Sequence, residues 1–246
     1  MGADQHFDWL ASAASTLDWW AEAGVDTLVD EAPCDWLAPP APTVSAELYP
    51  SAVPTAIASA VVDALPATLG AFAAWRNSPA APEAAWRGAF LSATGPADAA
   101  IMVVVDCPDP DDGRDGRLLA GPSGILFDRM LAAIGLTREA VYLVPVCAKR
   151  PIAGRMPREV EARLGEIARH HVHLATPQRV LCLGNAASRA ITGTEIPASR
   201  GLLHSFNHSG GDIGVVASFH PRLLLEKPAL KAEAWKDLQL LMGNLT

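Results

Sequence analysis

Four carboxylates stand within seven residues at Asp106-Cys-Pro-Asp-Pro-Asp-Asp112. Asp106 directly follows the apolar run 101–105 (Ile-Met-Val-Val-Val). A carboxylate at the end of a buried strand can be held rigidly and partly desolvated, which suits a general base or a stabiliser of positive charge. Asp111 is the second candidate for that work. The bland alternative is a solvated acidic loop; a cation loop is a rival, but the calcium-loop pattern is absent. Three further clusters carry chemistry. Gly121-Pro-Ser-Gly124 opens a helical stretch, where Ser123 and Gly124 can hold a phosphate on free backbone N–H groups, or Ser123 can simply cap. Cys147-Ala-Lys-Arg-Pro-Ile-Ala-Gly-Arg155 offers Lys149, Arg150 and Arg155 to phosphates, or is a solvated basic loop. Ser218-Phe-His-Pro-Arg222 sets His220 at a strand end, fixed by the proline, where it can polarise a carbonyl oxygen. Cys107 is a conceivable nucleophile, yet no activating His or Lys is evident beside it.

These residues need a scaffold. Apolar, β-branched runs at 101–105, 141–146, 180–183 and 213–217 predict four short strands. Helical patterns at 124–134, 158–175, 186–191 and 230–242 separate or follow them. Strands alternating with helices predict an α/β fold, a three-layer α/β/α sandwich around a four-stranded parallel sheet. In such sheets the working site lies beyond the carboxyl ends of the strands, where the clusters above fall. Ahead of this domain (66–246), residues 1–65 read as a helical extension with a Pro/Ala-rich linker. A helix is expected over 7–23, the linker over 38–54, and a second helical stretch over 55–75, interrupted at Pro66.

Half of the 246 residues are hydrophobic and 19% are charged, so the chain should be globular. The longest apolar run, 99–105, is far too short to span a bilayer. The start lacks a signal-peptide pattern, so a cytoplasmic protein is expected, a monomer without membrane contact. The four cysteines, Cys34, Cys107, Cys147 and Cys182, match no zinc or iron–sulfur spacing, and no metal site is expected. They read as reduced thiols without disulfides. The net charge of −8 argues against tight nucleic-acid binding. Basic residues concentrate between Arg138 and Arg179, however, so a local basic face within an acidic protein is expected.

Taken together, the segments resemble the uracil-DNA glycosylase superfamily, closest to family 4 in its alphaproteobacterial form. Val105-Asp-Cys-Pro-Asp109 stands where that family has G-E-A-P-G. Leu118-Leu-Ala-Gly-Pro-Ser-Gly124 and the helix through Leu136 match its P-F-V-G-x-A-G and L-L-D-x-M-L. Tyr142-Leu-Val-Pro-Val146, Arg150-Pro-Ile-Ala-Gly-Arg-Met-Pro157, Leu183-Gly-Asn-Ala-Ala187 and the stretch from His220-Pro221 to Leu238 continue in order. The resemblance covers about residues 70–243 and implies excision of a deaminated base from DNA in base-excision repair. It implies Asp106, Asp111 and His220 as catalytic residues, Leu119, Pro145 and Cys107 facing the base, and Ser123, Gly124, Arg150, Arg155 and Arg222 on DNA phosphates. The departures are pointed. Asp106 replaces Glu, Asp109 replaces Gly, Leu119 replaces the stacking aromatic, and Pro145 replaces the Asn that reads the uracil edge. Pro145 offers no hydrogen-bonding side chain. The cluster-binding cysteines are missing, which implies no iron–sulfur cofactor. The sequence therefore admits a divergent glycosylase with altered base specificity, or a catalytically inactive member that binds DNA or a repair partner.

Overall fold

The computed structural model describes Ser15, Trp19 and residues 65–154, 156–208 and 211–243. Apart from Ser15 and Trp19, the helix expected over 7–23 lies outside these residues, as do the linker over 38–54, residues 55–64 of the stretch 55–75, and Arg155.

Strand β1 (Ile101–Val105) is the hub of the sheet. It pairs in parallel with β2 (Val141–Pro145) on one side and with β3 (Arg179–Leu183) on the other. Next to β3 runs β5 (Gly211–Ser218), also parallel. The order is β2-β1-β3-β5-β4. The sheet thus has five strands, not the four expected. The additional strand, β4 (His204–His208), is antiparallel to β5 and forms one edge. Its sequence, His-Ser-Phe-Asn-His, buries only Phe206, so it has no apolar run to announce it. An edge strand needs none, because one of its faces and one of its edges stay in water.

The continuous apolar runs of β1, β2 and β3 follow from burial on both faces. Alternate residues serve alternate layers. Met102, Val104, Val144 and Cys182 pack against Leu164, Ile167 and Val172 of α4 (Arg158–Ala175) and against Phe72 of α1 (Leu69–Arg76). Val103, Val105, Leu143 and Leu181 face the opposite layer. There they meet Phe127 and Leu131 of α3 (Gly121–Ala133), and Leu238 and Leu241 of α8 (Lys231–Met242). The three layers are those expected. Each fully buried Leu or Phe contributes roughly 1.5–3 kcal/mol, so the two apolar layers dominate the stability of the domain.

Four short helices shape the carboxyl end of the sheet. A four-residue turn, α2 (Asp112–Asp115), lies in the loop after β1. After β3 comes α5 (Asn185–Thr192), followed by α6 (Ile196–Ser199). After β5 comes α7 (Pro221–Glu226). The chain leaves β1 towards β2 through α3 on one face and reaches β3 through α4 on the other. The sheet order therefore reverses between β1 and β3, and a crevice opens there by topology. Among the described residues no helix is long and apolar enough to cross a membrane.

Candidate active site

The crevice is filled first by Asp106. Its carboxylate accepts the backbone N–H of Ala187 at 2.7 Å, in the first turn of α5. Ala186 N–H also contributes. The residue that closes this arrangement is Gly184, the N-cap of α5, with φ of 110°. A Cβ at that position would run into the Asp106 carboxylate. The Gly of Leu183-Gly184 is thus required by close approach as well as by backbone conformation. A helix N-terminus favours a negative charge, and the guanidinium groups of Arg222 and Arg189 add to it. Dense packing of protein atoms nevertheless wins: burial pushes the Asp106 carboxyl up to about 6. By surface area the residue is only half-buried, because it keeps an opening to a hollow.

That hollow has a volume of about 780 Å3. Four segments wall it. Asp106 and Cys107 come from the exit of β1, Gly154 and Arg158 from the loop after β2 and the start of α4 that follows it, Asn185 and Arg189 from α5, and Arg222 from α7. Its size suits a nucleotide-scale ligand. The charges on its wall are mixed: Arg158, Arg189 and Arg222 against Asp106, Glu159 and Glu161. Arg189 is already engaged, by Glu161 and by Glu195 at 2.8 Å.

His220 does not itself line the hollow; it stands two residues before Arg222, which does. It is 5% exposed and is the N-cap of α7. Its Nδ1 accepts the backbone N–H of Arg222 at 3.2 Å. In the neutral ring the proton must then lie on Nε2, which becomes a donor. Burial holds the imidazole down to about 4, so the ring is neutral near pH 7. Asp109 stands beside it, 5% exposed, and one of its oxygens takes the Arg222 guanidinium. Its other oxygen is buried without a hydrogen-bond partner.

The remaining expected residues are not in the hollow's wall. Leu119 is 1% exposed, has φ of 50°, and packs into the core with Val103, Val105 and Phe127. It is pinned by Arg138, which donates to the carbonyls of Leu118 and Leu119 at 2.8 and 3.0 Å. Gly124 fits under it because a Cβ there would strike the Leu119 carbonyl. Ser123 and Gly124 are buried in the first turn of α3. Pro145 borders a separate, small cavity of about 40 Å3 with Phe72, Tyr142 and His171. Asp111 is 44% exposed and lies 3.8 Å from Arg114. Arg150 donates to the Pro108 carbonyl at 2.6 Å, and Lys149 donates to the Ala84 carbonyl at 2.7 Å. Both cations brace loops, because buried carbonyls left by the irregular chain need donors.

Three contributors carried no sequence signal of their own. Asp112 is 1% exposed and accepts the N–H groups of Asp109 and Ala120 at 2.8 and 2.7 Å, which folds the acidic loop back on itself. The signal was present only as acidic density, which cannot say which carboxylate is structural. Arg189 and Asn185 reach the hollow because α5 begins there, a juxtaposition in space rather than in spacing.

The cysteines do not fit a four-thiolate cluster. Cys182 is enclosed within β3, in register with Val104 and Ala217. Cys107 and Cys147 pair with each other near Asp106, and Cys34 lies outside the described residues. Among the described residues no three His, Cys, Asp or Glu side chains are grouped to hold a metal ion.

The family model described as the Uracil DNA glycosylase superfamily matches residues 92–239, from the segment beside β2 to α8. The chain belongs to the uracil-DNA glycosylase superfamily. Among curated proteins it is similar to the Type-4 uracil-DNA glycosylase of Archaeoglobus fulgidus, 30% identical over 158 residues, or 61% of this chain and 79% of the relative. The Type-4 uracil-DNA glycosylase of Pyrobaculum aerophilum is 27% identical over 152 residues, 58% and 77% of the two chains. That of Thermotoga maritima is 29% identical over 133 residues, 53% and 69%. The matched span contains every wall of the hollow.

Proposed function

We propose that this superfamily member is a DNA glycosylase of base-excision repair, cutting the N-glycosidic bond of a deaminated base. The single observation that carries this is Asp106, a carboxylate on the floor of a nucleotide-sized hollow at the sheet's switch point. A base acted on in DNA leaves the stack and enters such a pocket. Above about pH 6 Asp106 is ionised. It then stabilises the oxocarbenium-like sugar or orients the attacking water. His220, neutral with Nε2–H as donor, serves the oxygen of the departing base. Arg222 and Arg158 meet backbone phosphates. Base selectivity is proposed to be relaxed, since neither Pro145 nor Leu119 lines the hollow. Loss of a specificity hydrogen bond removes roughly 10⁴–10⁵ of discrimination. The proposed setting is a cytoplasmic monomer without an iron–sulfur cluster.

The test is excision from single- and double-stranded oligonucleotides carrying uracil, hypoxanthine or xanthine, scored as alkali-labile abasic sites. Release from at least one is expected. Folded protein that releases none of them rejects the enzyme. The Asp109–Arg222 pair favours a second reading, a catalytically inactive member that binds DNA or a repair partner, because it withholds Arg222 from a substrate phosphate in the hollow, although the same pair weakens the DNA-binding version of that reading. Salt-dependent DNA binding without any release is the outcome that selects it.

A further inference from the structure

We infer that Cys107 and Cys147 form an oxidation site, at which a hydroperoxide entering the hollow converts the two thiols into one disulfide. The two residues are 40 positions apart, yet the sheet delivers them side by side. Strands β1 and β2 end in register at Val105 and Pro145. The pairing then continues past both strands: Val146 N–H donates to the Val105 carbonyl at 2.8 Å, and Cys147 N–H donates to the Asp106 carbonyl at 3.2 Å. Cys107 and Cys147 are the next partners in that register. Neighbouring strands run roughly 4.8 Å apart, and disulfides bridge Cα atoms roughly 4.4–6.8 Å apart. The Cys147 thiol donates to the Asp106 carbonyl at 3.8 Å, beside the Cys107 backbone, and the two thiols influence each other's titration.

The two thiols are not equivalent. Cys107 is 8% exposed and lines the hollow, whereas Cys147 is fully enclosed. The neighbouring Cys147 thiol favours a thiolate on Cys107, and the positive charges of Arg150 and Arg222 act in the same direction. Burial and the Asp106 carboxylate oppose them, but the net direction is down. Cys147 is pushed up by its interaction with Cys107 and by burial, and keeps its proton. This is the activator that Cys107 lacked in the linear sequence. An accessible thiolate beside a resolving thiol is the arrangement that reacts with peroxides.

The steps balance. The Cys107 thiolate attacks a peroxide oxygen, an S–O bond forms, the O–O bond breaks, and the alkoxide leaves with a proton as alcohol. Cys107 is now a sulfenic acid. The Cys147 sulfur attacks that sulfur, the S–S bond forms, and the hydroxyl departs as water with the Cys147 proton. Two thiols and one hydroperoxide give one disulfide, one alcohol and one water. Cys182 takes no part, being sealed in the sheet.

The experiment uses the full chain and no DNA, so its result is independent of the glycosylase proposal. Native protein is treated with hydrogen peroxide, quenched, denatured and titrated for thiols. The count is expected to fall from the four of the reduced chain to two, and to return with a thiol reductant. Non-reducing peptide mapping is expected to join the Cys107 and Cys147 peptides. Cys147→Ser should stop at the sulfenic acid, trapped on Cys107 by a dimedone probe, and Cys107→Ser should block both products. Oxidation of the wild-type chain in urea controls for misfolded variants, and there the preference for this pair should disappear. Four thiols surviving in the native protein, or Cys107 joined to any other cysteine, would overturn the inference.

Discussion

The two sides of the β1 exit have been treated differently. On the β3 side, Asp106 keeps its place on the floor of the hollow, held by the first turn of α5 and open to ligand. On the other side, two of the three positions that the superfamily resemblance assigns to the base, Leu119 and Pro145, lie outside the hollow's wall, and only Cys107 remains in it. Leu119 has become core, and Pro145 faces a small cavity at the outer edge of the sheet. The difference teaches that the catalytic floor and the base-reading wall are separable. The floor is fixed by topology, because a switch point and a helix N-terminus must coincide there. The wall depends on single side chains, and an apolar side chain at such a position gains more from joining the core than from lining a wet pocket.

The largest expected effect tests the floor. Asp106→Asn should lower kcat/KM by roughly 10²–10⁴ while leaving DNA affinity nearly unchanged. In the wild type the ionised carboxylate is the active form, so kcat/KM should fall about tenfold per pH unit below about 6. Stability moves the other way. The folded carboxyl holds its proton up to about 6, above its value of 3.8 in the unfolded chain, so its contribution to stability is lost as pH rises through that window. The variant should therefore resist urea better than the wild type above pH 6, by about 1–3 kcal/mol. A slower variant that is also less stable at pH 7 would mean that Asp106 is a structural cap and nothing more.

Next in size is His220→Gln, which should cost roughly 10²–10³ in kcat, with KM little changed. The His220 ring is held neutral, down to about 4 against 6.5 when unfolded, so it contributes stability above pH 6.5 that is lost as pH falls towards 4. The glutamine variant should lose less stability than the wild type over that interval in urea titrations at stepped pH. An unchanged kcat would assign the residue to capping α7 alone.

Asp109→Asn probes the border between the two sides. It releases Arg222 from its internal partner. DNA affinity should rise about three- to tenfold at low salt, since a half-exposed ion pair is weak to begin with. The slope of log affinity against log salt should steepen by roughly 0.7–0.9, the mark of one added phosphate contact. A tighter variant with an unaltered slope would point to relaxed packing instead.

How far the sequence carried this picture depends on the kind of information each residue uses. Strands β1, β2, β3 and β5 were legible because double-sided burial leaves an unbroken apolar run. Asp106 was legible because it follows such a run, and His220 because a proline fixes it at another. β4 was not, because an edge strand buries one face and here only Phe206. Leu119 and Pro145 were legible as departures, but their destinations were not. Whether a leucine turns inward depends on the φ of one loop residue and on Arg138 gripping its carbonyl. The Cys107–Cys147 contact is invisible in the chain, since it exists only through the register of two parallel strands.

The smallest expected effect is the sharpest test of the contrast. Pro145→Asn reinstates the residue type that the superfamily resemblance places there for reading uracil. If that wall were still functional, uracil excision relative to other bases should climb by orders of magnitude, because a buried hydrogen-bond pair discriminates strongly. The described geometry gives the opposite expectation. Pro145 ends the outer parallel strand, in register with Val105, and borders a cavity with Phe72, Tyr142 and His171 rather than with Asp106. An amide there has no ligand to read. His171 already shares its Nε2 with the Tyr142 hydroxyl at 3.0 Å, and burial keeps that ring neutral, down to about 3. The variant should therefore change the uracil preference by less than about twofold while losing about 1–3 kcal/mol of stability to an amide buried without adequate partners. Competitive excision of paired substrates, with urea melts on the same preparations, separates the two outcomes.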